Sequence, residues 1–228
     1  MFVDIHTHTA DNQSVIKIVD DFSEKILKTW GIHPWEVNVI STDQREWRNL
    51  TQLDEISRLR FAPLEMTGTN VSLEMTTAIG EVGLDKAHKE TFEKQIEVFE
   101  EMIRLSESYR KPMIIHCVRA YSEIIEIRKK MKATMPWVIH GFNSSVETMR
   151  QLLKYDIYIS LGEILYRNEN QAVKILKDIS VERLFLETDV SGRDIRDVYE
   201  KAALLMGCEV EFLENKIFEN YGRLEAAN

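Results

Sequence analysis

Along the chain, short apolar runs alternate with longer stretches whose apolar residues recur every three or four positions. From the middle onward the strand candidates are Thr77 to Val82, Met113 to His116, Trp137 to His140, Ile157 to Leu161 and Leu184 to Glu187, each of a length suited to a buried strand. Between the first two, Phe92, Ile96, Phe99 and Ile103 keep helical spacing. Val146, Met149 and Leu153 repeat the pattern after His140, and Trp47, Leu50, Leu53 and Ile56 give a similar stripe earlier. The tail from Val198 to Leu224 reads as two closing helices broken near Gly207. Strands alternating with amphipathic helices are the signature of successive βα units on a parallel sheet.

In the N-terminal quarter, Phe2 to Ile5, Val15 to Val19 and Thr29 to Ile32 look like strands but are joined by segments too short for a covering helix. A parallel crossover needs about ten to twelve residues, and residues 6 to 14 scarcely supply one. The pattern therefore predicts an α/β fold, a TIM-like (β/α) barrel of roughly seven or eight strands with an irregular, shortened N-terminal side. No Gly/Ser/Pro-rich linker or fixed-period repeat divides the sequence, so residues 1–228 are read as a single domain.

Composition agrees with one globular unit, since 44% of the 228 residues are hydrophobic and 29% charged. An acid and a histidine interrupt the opening Met1-Phe2-Val3-Asp4-Ile5-His6, which fits neither a signal peptide nor a membrane span and points to a cytoplasmic protein with no membrane partner. Cys117 and Cys208 match no zinc or redox spacing and are expected as reduced thiols. The excess of 38 Asp+Glu over 29 Lys+Arg gives a net charge of -9. That charge argues against sequence-independent coating of nucleic acid and leaves room for a local basic site. No protein partner is implied.

The candidate chemistry falls at or just after the C-terminal ends of the predicted strands, where barrel active sites are built. His6 and His8 follow the first strand at a period-two spacing, so both rings point to one side and can grip one cation. Gly80-Glu81-Val82-Gly83-Leu84-Asp85 places a carboxylate at the end of an apolar run, where an unpaired charge is costly unless a cation meets it. Met113-Ile114-Ile115-His116 and Trp137-Val138-Ile139-His140 each end an apolar strand in histidine. Leu184-Phe185-Leu186-Glu187-Thr188-Asp189 ends another in acids, one of which must face the same rim. Each feature alone fits a satisfied structural histidine or an exposed turn acid. Together, four histidines and two carboxylates suffice to hold two divalent ions, Mg, Mn or Zn, with open positions for water and substrate.

The ordered set His6-x-His8, Gly31-Ile32-His33-Pro34, Gly80 to Asp85, His116, His140-x-Phe142 and Glu187-Thr188-Asp189 resembles the TatD family of metal-dependent hydrolases, within the amidohydrolase superfamily of TIM barrels. The resemblance implies His6, His8 and Asp189 on one metal, His116 and His140 on the other, and Glu81 bridging them. It also implies hydrolysis of phosphodiester bonds in DNA, 3'-5' exonuclease-like, with DNA ends or single strands as substrate. A water activated by two metals would attack, and Asp189 is the expected base beside Glu81. His33, part of the motif, is expected to contact a phosphate or support a ligand, and Arg119 to bind phosphate through its forked donors. Trp35 either stacks a base or packs at the rim. His88 and Cys117 are read as structural or exposed.

The departures from the family pattern touch substrate-facing loops. Val118 stands where an arginine is common and Arg119 follows it; Asn143-Ser144 and Val190-Ser191 replace other family residues; and the segment between His8 and Gly31 is short. Asp4-Ile5-His6-Thr7-His8-Thr9 also suits a PHP-type phosphoesterase, and another superfamily esterase activity on a small substrate stays open. So does a non-enzymatic, metal-stabilised binding protein.

Overall fold

A computed structural model describes residues 2–8, 15–19, 27–30 and 77–226. The predicted helix over Trp47 to Ile56, together with His33 and Trp35, lies outside the described residues. Eight strands form one sheet in sequence order: β1 (Phe2–Thr7), β2 (Val15–Val19), β3 (Leu27–Trp30), β4 (Ala78–Asp85), β5 (Met113–Val118), β6 (Trp137–Ile139), β7 (Ile157–Leu161) and β8 (Leu184–Leu186). Every neighbouring pair is parallel. Beyond β8 the chain returns to β1: Asp189 N donates to His6 O at 3.1 Å and His8 N to Asp189 O at 3.4 Å, with Thr7 and Asp189 forming a parallel bridge. The segment after β8 is thereby hydrogen-bonded to the first strand, as expected of a TIM-like barrel.

The irregular N-terminal side is present in the pairing. Phe2 lies opposite Val15 in the β1–β2 ladder, whose register shifts between Asp4 and Thr7. The third strand covers Leu27–Trp30, beginning two residues before the expected Thr29, while Gly31 and Ile32 lie outside the described residues.

Helices follow from β4 onward: α1 (Phe92–Tyr109), α2 (Tyr121–Met131), α3 (Val146–Leu153), α4 (Ile164–Arg167), α5 (Glu169–Asp178), α6 (Ile195–Met206) and α7 (Val210–Ala226). The stripe that predicted α1 buries Phe99 and Ile103 together with Met102 and Val98, while Phe92 and Ile96 are partly covered. Full burial of such a side chain contributes about 1.5–3 kcal/mol. In α3 the buried leucine is Leu152 rather than Leu153, and Ser145 caps the helix by accepting Thr148 N at 3.1 Å. The break between the closing helices falls at Gly207, whose φ of 70° fits a left-handed cap that glycine takes without strain.

Two buried polar contacts pin the closing helices to the barrel. Tyr199 OH on α6 donates to Val3 O at 3.0 Å and accepts Val3 N at 3.2 Å. Asn220 on α7 donates to Val181 O and Leu184 O at 2.8 and 2.9 Å. Each satisfies backbone groups that would otherwise be buried without a partner.

One strand departs from its sequence reading in a way that shapes the site. The run Gly80-Glu81-Val82-Gly83 does not end β4; the strand continues to Asp85, and Glu81 lies inside it. The glycines allow unusually close strand approach. A Cβ built on Gly83 would stand 1.9 Å from His116 O, so any side chain there must push β4 and β5 apart. The β4–β5 register shifts between Ile79 and Val82, around Glu81 itself. Such an irregularity re-aims a side chain without breaking the sheet.

Candidate metal centre

Alternation along β1 puts Asp4 and His6 on one face of the strand, with Val3 and Ile5 on the other. His8 lies just past that strand. Glu81 comes from β4 and His116 from β5, and His140 follows β6, its N donating to Ile115 O at 3.1 Å as the ladder's last bond. Asp189 follows β8 with a left-handed φ of 48°. All six residues expected from the sequence as ligands meet in one cluster at the mouth formed by the strands' C-terminal ends.

Glu81 is its centre. Its Oε1 lies 2.7 Å from His116 Nδ1 and 2.8 Å from His140 Nε2. Its Oε2 lies 3.2 Å from His6 Nε2 and 3.8 Å from His8 Nε2. Asp189 Oδ1 then stands 3.7 Å from His6 Nε2 and 3.4 Å from His8 Nε2. Three overlapping sets, His6 with His8 and Glu81, His6 with His140 and Asp189, and Glu81 with His116 and His140, bring their ligand atoms within 4.8 Å of one another. His6 is fully buried and its Nε2 meets no partner with hydrogen-bond alignment among the described residues. A buried donor set of imidazole nitrogen and carboxylate oxygen, with a ring nitrogen left over, fits a divalent transition ion.

The charges inside the cluster are coupled. Burial opposes a proton on His6, but contact with Glu81 and the negative charges of Glu81, Glu187 and Asp189 outweigh it and raise the imidazole to about 9. His140, whose ring centroid is 4.4 Å from that of His6, is pushed down to about 4 by burial and by the His6 charge. His8 is raised by its contact with Asp189. Burial works to raise Asp189, yet His8 and the neighbouring imidazoles hold its carboxyl below the usual range. Burial pushes Glu187 up to about 8.

Several contributors were not singled out in the sequence. Both acids of Glu187-Thr188-Asp189 face inward, with Glu187 Oε1 accepting Gly141 N at 2.5 Å beside His140. Asp85 Oδ1 accepts Ala87 N at 2.7 Å, and Asp85 Oδ2 stands 3.7 Å from His116 Nε2 and 3.9 Å from the half-exposed His88. Asp4, fully buried, accepts Thr188 N at 3.0 Å and Thr188 Oγ1 at 2.7 Å, latching the segment that carries Asp189 onto β1. Arg119 sits exposed at the end of β5 with φ of 55°, and its side chain makes no hydrogen bond or ion pair with a described residue. Cys117 is buried, and burial pushes its thiol up to about 12, leaving it protonated and unreactive at neutral pH. Among the described residues no helix is long and apolar enough to cross a membrane.

Comparison with known proteins places the chain in a family. An Escherichia coli protein, the uncharacterized metal-dependent hydrolase YcfH, is 32% identical over 167 residues, covering 66% of this chain and 63% of its own length. The chain therefore spans somewhat under two thirds of that relative. The human 3'-5' RNA nuclease TATDN2 is 36% identical over 119 residues, 49% of this chain and 16% of the human protein. In fold, the crystal structure of the TatD homolog YjjV from E. coli superposes with a TM-score of 0.75 over 98% of this chain and 97% of that one, at 17% identity. The profile of the TatD-related DNase family matches residues 1–225, and the chain belongs to that family of metal-dependent hydrolases.

Proposed function

We propose that the chain is a phosphodiesterase that works with two divalent ions, Mg²⁺, Mn²⁺ or Zn²⁺, and hydrolyses DNA from strand ends in the 3'-5' sense. The observation that carries this reading is the division of Glu81, whose one oxygen faces His6 and His8 and whose other faces His116 and His140. His6, His8 and Asp189 would hold one ion, His116 and His140 the other, and Glu81 both. When bound, such ions polarise a phosphoryl oxygen and make water acidic enough to attack at neutral pH.

The chain's own groups then divide the work. Asp189, kept ionised and partly open to solvent, accepts the proton of the attacking water. The water oxygen bonds to phosphorus, the bond to the leaving oxygen breaks, and the leaving oxygen takes up a proton; no side chain bonds covalently to substrate. Arg119, with its donors unengaged by described residues, would take a phosphate oxygen. His33 has the same role from its place in the motif. The net charge of -9 favours engagement of a strand end over a long track of backbone. A purely structural metal centre fits less well, because His8 and Asp189 remain partly exposed and leave positions open.

The test is hydrolysis by the purified chain with added Mg²⁺, Mn²⁺ or Zn²⁺ on single-stranded DNA, RNA, simple phosphate diesters and carboxylate esters. The expected result is chelator-sensitive cleavage of single-stranded DNA, with the RNA arm included because a relative is named as an RNA nuclease. Turnover confined to carboxylate esters overturns the reading.

A further inference from the structure

The loops after β7 and β8 carry a charge arrangement that the metal centre does not use. Glu163 stands two residues past β7, at the start of α4, and each of its oxygens takes one arginine. Oε2 lies 2.7 Å from Arg167 Nε, and Oε1 lies 3.2 Å from Arg193 Nε. Two guanidinium groups thus share one carboxylate, and the trio keeps an excess positive charge on a chain that is acidic overall. Both arginines reach Glu163 through Nε alone. Their terminal nitrogens, the forked donors that match phosphate oxygens, have no partner among the described residues. The Arg193 guanidinium is also held over the Tyr166 ring, 3.9 Å from its centroid, and Tyr166 is fixed in turn by donating to Asp197 O at 3.0 Å. Burial raises the Tyr166 phenol, with the charges of Asp197, Glu163 and Glu200 adding to it and Arg193 opposing it.

This trio sits at the mouth of the barrel. A Cβ on Gly162, next to Glu163, would stand 2.7 Å from Glu187 O, so the β7 loop abuts the strand end that carries Glu187, Thr188 and Asp189. Arg193 follows on the β8 loop, held by Ser191 Oγ accepting Arg193 N at 3.3 Å. A guanidinium oriented by a carboxylate below and an aromatic face beside it has lost little freedom left to lose on binding.

We infer that Arg193, supported by Arg167, Glu163 and Tyr166, forms a phosphate subsite for the nucleotide flanking the scissile bond. The inference rests on the phosphodiesterase reading and names a contact from the β7 and β8 loops, separate from Arg119 after β5. Glu163 orients the two arginines and limits their charge, so its removal should strengthen anion binding rather than weaken it.

The experiment measures binding of a fluorescent single-stranded oligonucleotide with phosphorothioate linkages to Mn²⁺-loaded protein across a salt series. Arg193→Ala is expected to weaken binding about tenfold and to lower the salt slope by about one phosphate contact. Glu163→Gln is expected to tighten binding and steepen the slope, since one competing carboxylate is gone. A merely structural ion pair predicts weaker binding in both variants, and that result overturns the subsite, as does unchanged affinity and slope in Arg193→Ala or no binding by the wild type. Turnover of bis(4-nitrophenyl) phosphate, which offers one phosphate only, runs in parallel. Wild-type turnover with oligonucleotide binding indifferent to Arg193 sinks the subsite alone. Arg193-dependent binding with no turnover of bis(4-nitrophenyl) phosphate or of the unmodified oligonucleotide sinks the hydrolase reading and leaves the subsite standing.

Discussion

The two halves of the candidate metal centre are built by different means. His116, His140 and Glu81 come from adjacent strands β4 to β6, and their contacts of 2.7 and 2.8 Å are hydrogen bonds in a largely buried pocket. His6, His8 and Asp189 meet where the chain's first strand joins the segment after its last, at spacings of 3.2 to 3.8 Å, with His8 35% and Asp189 31% exposed. Ligands about 2.0–2.2 Å from one ion in a tetrahedral array stand roughly 3.3–3.6 Å from each other. The seam half's spacings therefore bracket those an ion would set, whereas the strand half is closed on itself by hydrogen bonds that an ion would have to displace. Continuous strands give rigidity; the seam gives room, access to solvent and dependence on closure.

That contrast can be broken in four ways, the largest effect first. Glu81→Ala removes the group common to both halves, so bound metal and hydrolysis should fall together, activity by roughly three or more orders of magnitude. Metal analysis of the purified variant is the check, and full occupancy of both halves removes the bridging role. Asp189→Asn keeps shape but deletes the seam's charge and base; hydrolysis is expected to drop by roughly two or more orders of magnitude with the fold retained. Near wild-type turnover at saturating metal would take Asp189 out of that role.

Asp4→Ala tests whether the seam depends on its latch. It strands the buried Thr188 N–H, a cost of about 1–3 kcal/mol in thermal or denaturant unfolding, while Thr188 Oγ1 keeps Thr7 Oγ1 at 2.9 Å. It should also loosen metal binding about 10–100-fold at the seam half only. Equal weakening at both halves argues that the two are not independently built. The smallest effect concerns substrate: cleavage of end-labelled DNA across a salt series should show a slope of about one to three phosphate contacts, with single-stranded ends preferred over blunt duplex and circular DNA resistant. Efficient cutting of circles contradicts end engagement.

The strand half was legible in the sequence where apolar runs stop at a polar residue: Ile114-Ile115-His116 and Val138-Ile139-His140 each announce a buried strand with a histidine at its mouth. Glu81 was legible as a candidate ligand but misplaced in its strand. Its flanking glycines look like a turn, and only the close approach to His116 O shows them to be strand interior. The seam's supports were harder to see, because Asp4 and Thr188 are separated by 184 positions and local patterning carries no record of such a pair. Glu187 was hidden differently: two inward acids followed one strand, and periodicity alone favoured one. The shortened N-terminal side was legible from connection lengths alone. The helices α2 and α5 were not singled out; Ile124 and Ile127 in one and Ala172, Ile175 and Leu176 in the other form their buried faces among charged neighbours.

The central claim is a pair of ions divided by Glu81, and anomalous diffraction from crystals grown with excess Mn²⁺ tests it most directly. The account predicts two anomalous peaks, one among His6, His8 and Asp189 and one between His116 and His140, with a Glu81 oxygen on each. A single peak, or two peaks with Glu81 bonded to neither, would contradict it.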